Sequence, residues 1–244
     1  MSEHDLHLDH DRSARLGFPE VVFGGGKTPA ECVAAASGLA QRHPQVLVNR
    51  CSEAALAALA AALPEGHCHT RSGCFTLGEP EPTLGPVAVV SAGTSDAHVA
   101  EEAVVTLRMR GVSAERFADC GVAGLHRLQG HIDGIRACKV VIAVAGMDAA
   151  LPTVLKGLIA RPVIGVPTSV GYGVADGGRS ALHSMLVSCA PASRWSTSTM
   201  GSVRPTPPRT SSPLSPAPTD QRQRALNKRY STMFLNSATR ARAL

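Results

Sequence analysis

The strongest regularity in the chain is an alternation that begins near residue 86. "PVAVVSA" (86–92), "KVVIAVAG" (139–146) and "RPVIGVP" (161–167) are unbroken apolar runs of strand length. Such runs are the pattern of strands buried on both faces. Amphipathic stretches separate them. "SDAHVAEEAVVTLRMRG" predicts a helix with Ser95 as N-cap, Glu101 and Glu102 early, Arg108 and Arg110 late, and Gly111 as its stop. "SAERFAD" predicts a further strand and "GLHRLQGHIDGIRAC" a further helix. "AALPTVLKGLIA" predicts a helix with Pro152 near its first turn, and "GRSALHSMLVSCA" predicts the last helix. This order argues for an α/β fold with a parallel β-sheet flanked by helices, joined by right-handed crossovers.

Residues 1–80 read differently, as a small α-rich region. "PAECVAAASGLAQRH" (29–43) and "SEAALAALAAAL" (52–63) have helical spacing, and "QVLVN" between them has the look of a strand. "GEPEPTLGP" (78–86) is a Pro/Gly connector and a domain boundary. After Ala190 the pattern breaks: from Ala192 the chain is Ser, Thr, Arg and Pro without periodicity. The expected organisation is therefore an N-terminal region (1–80), an α/β domain (86–191) and a tail (192–244).

Composition sharpens this picture in two places. The net charge of the 244 residues is +5, but the tail holds nine Lys/Arg against Asp220 alone. The tail thus carries +8 and the remainder −3, so no basic surface for nucleic acid is expected on the folded body. The seven cysteines are odd in number and form no CxxC, which points to reduced thiols in a cytoplasm. No apolar run reaches the roughly 18 residues of a membrane span, and the first residues lack the apolar core of a secretory signal.

In parallel sheets, ligands bind beyond the carboxyl ends of the strands. The loops there are "SAGTSD", "DCGVAG", "AGMDAA" and "PTSVGYG", all rich in small residues. Small residues let backbone N–H groups approach a phosphate, so four such loops in register favour a nucleotide-like ligand. Other motifs carry less. "FGGGKT" (23–28) is not a Walker loop, because Val21 stands where that pattern needs Gly. It reads as a Gly-rich turn with Lys27 available to an anion. "HCHTRSGC" (67–74) has no second ligand pair at a zinc spacing, and His4, His7 and His10 lie in a terminal segment. Cys189 stands out only by its position at the end of the last helix. A lone cysteine is ordinarily a small buried hydrophobe.

Six segments in order, however, resemble one family. They are "LDHDRSARLGFPEVVFGGGKT", "AGTSDAHVAEEAVVT", "DCGVAGLHRL", "VIAVAGMDAALPTVLKGL", "PVIGVPTSVGYG" and "LHSMLVSCAP", from about Asp9 to Pro191. They are similar to LarB, the pyridinium-3,5-biscarboxylic acid mononucleotide synthase of nickel-pincer cofactor biosynthesis. The resemblance implies a PurE-like, Rossmann-like three-layer fold. It also implies carboxylation of the pyridinium ring of nicotinic acid adenine dinucleotide, with hydrolysis of its phosphoanhydride to release AMP. Carbon dioxide or bicarbonate is then a co-substrate. No tightly bound cofactor is implied, although a divalent metal such as magnesium is compatible. The implied partner is another copy of the chain, in a ring-like octamer; no nucleic acid or membrane partner is implied.

Carried over residue by residue, Cys189 in "SCAP" is the detachable nucleophile. Asp148 in "AGMDAA" is the acid/base, at a position where the family usually has Glu. Ser95 and Asp96 hold the ring carboxylate or ribose, with Ser91, Gly93 and Thr94 in the same loop. His126 and Arg127 meet phosphate, and Gly146, Met147, Thr168, Ser169, Gly171 and Tyr172 complete the substrate contacts. Residues 86–170 also resemble the carboxyaminoimidazole ribonucleotide mutase PurE. That family lacks the long N-terminal region and has Ser-Ala-His-Arg where this chain has Gly124-Leu125-His126-Arg127. A nucleotide-binding relative without activity is a third reading.

Past "SCAPG" the LarB family continues as a strand and loop close to "VAVVNIDNGFGAA", and this chain does not. Reading each codon one base earlier permits "GVAVVNIDNGFGAADAA" for residues 192–208. The expectation is a frameshift just after Pro191, a disordered tail, and a sheet that lacks its last strand.

Overall fold

The computed structural model describes residues 6–190 and the backbone of Arg194–Trp195. His4 lies outside the described residues, as does the tail apart from those two positions.

The N-terminal region opens with α1 (Arg12–Leu16), β1 (Val21–Phe23), α2 (Pro29–Ala40) and β2 (Val46–Asn49). It continues with α3 (Glu53–Ala62), β3 (His67–His69) and β4 (Cys74–Leu77). Local chemistry sets the helix starts. Thr28 and Glu31 form a reciprocal capping box with Pro29 at the first helical position, and Ser52 Oγ accepts from Ala55 N at 3.2 Å. The strands form a mixed sheet in the order β1-β2-β4-β3, with β1 parallel to β2 and the other pairs antiparallel. Ala35, Ala36 and Leu39 of α2 and Leu56 and Leu59 of α3 pack on Val46, Val48 and Phe75. The two expected helices and the expected strand are present, and the structure adds three further strands, so the helices cover a four-stranded sheet. Its hairpin escapes a sequence reading because three- and four-residue strands holding His, Cys and Thr make no apolar run.

The second sheet comprises β5 (Leu84–Ser91), β6 (Val112–Phe117), β7 (Val140–Ala145), β8 (Val163–Pro167) and the two-residue β9 (Arg194–Trp195). The order is β6-β5-β7-β8-β9, and every pair is parallel. All six residues of β7 are buried, as its central place requires. α4 (Ala97–Arg108) covers one face, where Val99, Ala100, Val104 and Leu107 meet Val87, Val89, Ile142 and Val144. α5 (Leu125–Ala137), α6 (Ala150–Leu158) and α7 (Arg179–Leu186) cover the other. The expected α/β architecture, with apolar strands sealed by helices, is therefore present.

α4 has a second apolar flank. Val105 and Met109 pack with Phe18, Leu47 and Cys74 of the N-terminal region. Glu102 accepts from Arg50 Nε at 3.0 Å and from Asn49 Nδ2 at 3.3 Å. One helix thus serves both sheets.

The expected missing strand needs one correction. The edge of β8 is occupied by β9, with Ile164 opposite Arg194 and Gly165 opposite Trp195. Residues 196–244, and the expectation of disorder there, lie outside the described residues.

Candidate functional site

Four loops leave the carboxyl ends of β5, β6, β7 and β8 on one edge of the second sheet. After β5 the chain makes a 3-10 turn over Thr94–Asp96 before α4. Helix α4 therefore starts at Ala97, one residue later than a Ser95 cap would give, with Asp96 at the N-cap position. Asp96 does not cap α4 with its side chain. Its carboxylate turns back: Oδ2 accepts from Gly93 N at 3.0 Å, and Oδ1 accepts from Thr168 Oγ1 at 2.7 Å. Both residues are almost fully buried, at 3% and 1% exposure. Sequence reasoning placed Asp96 and Thr168 against substrate; the structure makes them the clasp that joins the β5 and β8 loops. A buried carboxylate with two donors aimed at it is the arrangement that makes such burial tolerable.

The β7 and β8 loops are sewn together by backbone bonds. Met147 N donates to Val170 O at 2.8 Å, and Thr168 N donates to Ala145 O at 3.0 Å. Gly146 sits under this seam, where a Cβ would lie 2.3 Å from Val170 O and 2.6 Å from Thr168 Oγ1. Only glycine fits there. Met147 (φ 54°) and Ala149 (φ 47°) are both left-handed, and Asp148 between them is exposed. Backbone strain of this kind persists where its surroundings over-determine it, and it clusters at functional sites. Asp148 is held at the rim, with Oδ1 only 3.5 Å from Ala150 N.

The remaining predicted residues divide by exposure. Thr94, Ser95, His126, Arg127, Ser169 and Tyr172 are exposed; Gly93, Met147 and Gly171 are half-buried. Ser91 is fully buried, and its Oγ has no hydrogen-bond partner among the described residues. Arg127 is ion-paired with Asp119, a left-handed residue (φ 57°) that sequence reasoning did not single out. The signal for Asp119 is its place before the Cys120–Gly121 pair. Cys120 N donates to Ser91 O at 2.9 Å, which ties the β6 loop to the β5 loop.

Cys189 follows α7 and is exposed. No hydrogen bond among the described residues joins its thiol to the strand-end loops. The chain there is anchored by Ser188, whose Oγ lies 2.7 Å from Thr153 Oγ1 in α6 and accepts from Ala190 N at 3.2 Å. Cys189 and Asp148 are therefore both set by α6, one through Thr153 and the other through the turn that starts the helix. The other six cysteines are buried or half-buried. Burial pushes the Cys51 and Cys74 thiols up to about 12 and the Cys138 thiol up to about 11, which holds them protonated and unreactive at neutral pH.

The helices that open onto this edge are unusual at their starts. α5, α6 and α7 have neither a side-chain cap nor an acidic residue in the first turn. Their first turns hold no carboxylate, although Asp148 Oδ1, just ahead of α6, lies 3.5 Å from Ala150 N, and positive dipole ends of this kind suit an anionic ligand. Among the described residues no helix is long and apolar enough to cross a membrane.

Comparison with known proteins agrees with this division of the chain. Residues 4–79 match the LarB/PurE-like N-terminal domain family, and residues 86–200 match the AIR carboxylase family. The chain is also 35% identical over 205 residues to an uncharacterised protein of Methanocaldococcus jannaschii, which covers 78% of this chain and 77% of that relative.

Proposed function

Because the chain belongs to the LarB family and carries a PurE-like α/β domain, we propose that it is a carboxylase of the pyridinium-3,5-biscarboxylic acid mononucleotide synthase type. Its substrate on this reading is nicotinic acid adenine dinucleotide, with carbon dioxide or bicarbonate as co-substrate. The observation that carries the reading is the exposure of Cys189 alone among seven cysteines whose fellows are buried or half-buried.

The chemistry explains why a thiol is needed. A pyridinium ring is electron-poor, and its carbon 5 does not attack carbon dioxide. Addition of the Cys189 thiolate at carbon 6 converts the ring to an enamine-like system, and carbon 5 becomes nucleophilic. After the new carbon–carbon bond forms, Asp148 removes the carbon-5 proton. The ring electrons return, the carbon–sulfur bond breaks and the thiolate leaves. Water cleaves the phosphoanhydride, giving the dicarboxylated mononucleotide and AMP. The open starts of α5, α6 and α7, with His126 and Arg127, receive the phosphates on this reading. The exposed apolar side chains Val174 and Val187 supply a contact for the homo-oligomer the family implies.

The test is incubation of purified protein with the dinucleotide and bicarbonate, with AMP followed by chromatography. AMP release is expected from the intact chain and is expected to fall on the order of 10³-fold or more in Cys189→Ser. AMP formation that survives this change would overturn the detachable-thiolate mechanism. A purine-pathway mutase, the alternative, predicts no AMP and no need for Cys189. We also attribute the loss of family pattern after Pro191 to a one-base shift. In the shifted frame, positions 194 and 195 read Ala-Val within the strand-like "VAVV", where β9 pairs with β8. Restoring the base at the Pro191 codon is expected to raise both AMP release and the unfolding midpoint; no change in either would discard the shift.

A further inference from the structure

The stretch that follows α7 is largely open to solvent. Leu186, Val187 and Cys189 are all exposed, and the helix closes where Val187 N donates to His183 O at 3.0 Å. Ser188 holds the stretch in place. Its Oγ accepts from Ala190 N at 3.2 Å, a side-chain-to-backbone bond that reaches two residues on. Bonds of that kind close a serine turn, and Cys189 is the residue this turn encloses. The same Ser188 Oγ lies 2.7 Å from Thr153 Oγ1 of α6. One hydroxyl thus closes the turn around the thiol residue and ties that turn to another helix. Both hydroxyl residues are half-buried, so water competes less for their bond than at the surface.

The point of attachment matters. Thr153 lies in the first turn of α6, which starts at Ala150. Asp148 stands just ahead of that turn, with Oδ1 3.5 Å from Ala150 N. From Ala150 to Thr153 the helix rises only about 4.5 Å. The turn itself is stiff. Pro152 fixes its own backbone angle within it, and Leu151 and Leu155 are buried in one cluster with Ala181 and Met185 of α7. A short rigid piece of α6 therefore carries Asp148 at its start and the tether of Cys189 one turn on.

We propose that Thr153 and Ser188 are positioning residues that hold the Cys189 thiol in register with Asp148 by way of the first turn of α6. The inference rests on the carboxylase reading, in which the thiolate adds at carbon 6 and Asp148 takes the proton from carbon 5. Those ring atoms are neighbours, so the two side chains must arrive at adjacent points although they come from different elements. An error of about 1 Å in such placement costs roughly a hundredfold in rate. A tether through one helical turn removes the independent motion of nucleophile and base. Thr153 touches no reacting atom in this account and acts through Ser188.

The experiment compares the full chain with Thr153→Val, Thr153→Ser, Ser188→Ala and the double variant Thr153→Val/Ser188→Ala. Valine keeps the branched shape of threonine and removes the hydroxyl. The first readout is the rate at which iodoacetamide alkylates Cys189, with Cys189→Ser as the blank. A turn held against α6 limits the approach of the reagent, and a released one does not. Loss of one neutral hydrogen bond shifts the held-to-released balance about fivefold, so alkylation is expected to quicken about fivefold in Thr153→Val and in Ser188→Ala. No further gain is expected in the double variant, and Thr153→Ser is expected to keep the original rate. The second readout is AMP release: kcat is expected to fall about tenfold in Thr153→Val with KM unchanged, and to return in Thr153→Ser. Ser188 lies outside the helices, so its variant folds even if Thr153→Val does not. Alkylation unchanged in Thr153→Val or Ser188→Ala, additive effects in the double variant, or a Thr153→Ser that behaves like Thr153→Val overturns the proposal. So does a rise in KM with kcat intact. If the full chain releases no AMP, the carboxylase reading fails and the alkylation rates alone decide the tether.

Discussion

The two sheets of this protein solve the same problem in opposite ways. Both present loops and helix starts at the carboxyl ends of parallel strands. In the first sheet those helix starts are closed from within. Thr28 and Glu31 cap α2, Ser52 caps α3, and Glu31 and Glu53 place carboxylates in the first turns. In the second sheet α5, α6 and α7 begin without cap or acid. A helix start that satisfies itself contributes stability; one left open is available to a ligand. The helix starts of the first sheet are therefore closed and those of the second open, although "FGGGKT" is the more eye-catching glycine motif of the two.

Four changes test that contrast, from the largest effect to the smallest. Gly146→Ala forces a Cβ against Val170 O and Thr168 Oγ1, and is expected to lower stability by more than about 2 kcal/mol in a denaturant titration. Thr168→Val removes the hydroxyl donor from the buried Asp96 carboxylate. It is expected to cost about 1–3 kcal/mol and to loosen the β5–β8 clasp, with a higher KM for the dinucleotide. Leu125→Glu plants a carboxylate in the open first turn of α5, at a site 42% exposed. A rise in KM of about tenfold with an unchanged melting temperature is expected. An unchanged KM would break the contrast between open and closed helix starts. Thr28→Ala in the first sheet is expected to lower stability by about 1 kcal/mol and leave AMP release intact. That cap is also pH-sensitive. The Thr28 backbone N–H and hydroxyl hold the Glu31 carboxyl below its ordinary value. Its contribution is thus complete at neutral pH and is lost as the pH falls through that depressed value.

What could be read from the sequence follows from burial. β5, β7 and β8 are sealed on both faces, so nothing polar interrupts them and they stand out as apolar runs. β3 and β4 are short and carry His67, His69 and Thr76 toward a partly polar boundary, so periodicity had nothing to register. At the site, the strand-end loops were visible because their composition is unusual. The roles inside them were not. "SD" looks the same whether Asp96 faces a ligand or turns back to Gly93 N and Thr168, and only three-dimensional closure across 72 residues decides between the two. The strained pair Met147 and Ala149 was equally hidden, since neither residue type announces a left-handed backbone. Cys189 was singled out by resemblance, and the structure adds that it is the exposed thiol.

One consequence follows from α4 being wedged between two sheets. The helix that presents Thr94–Asp96 to the crevice is gripped from behind by Phe18, Leu47 and Arg50. Cutting the chain at residue 86 would leave Val105 and Met109 bare and remove the support behind the β5 loop. The first eighty residues are in this sense a backstop, and the recoil of the β5 loop is set by how firmly they are seated.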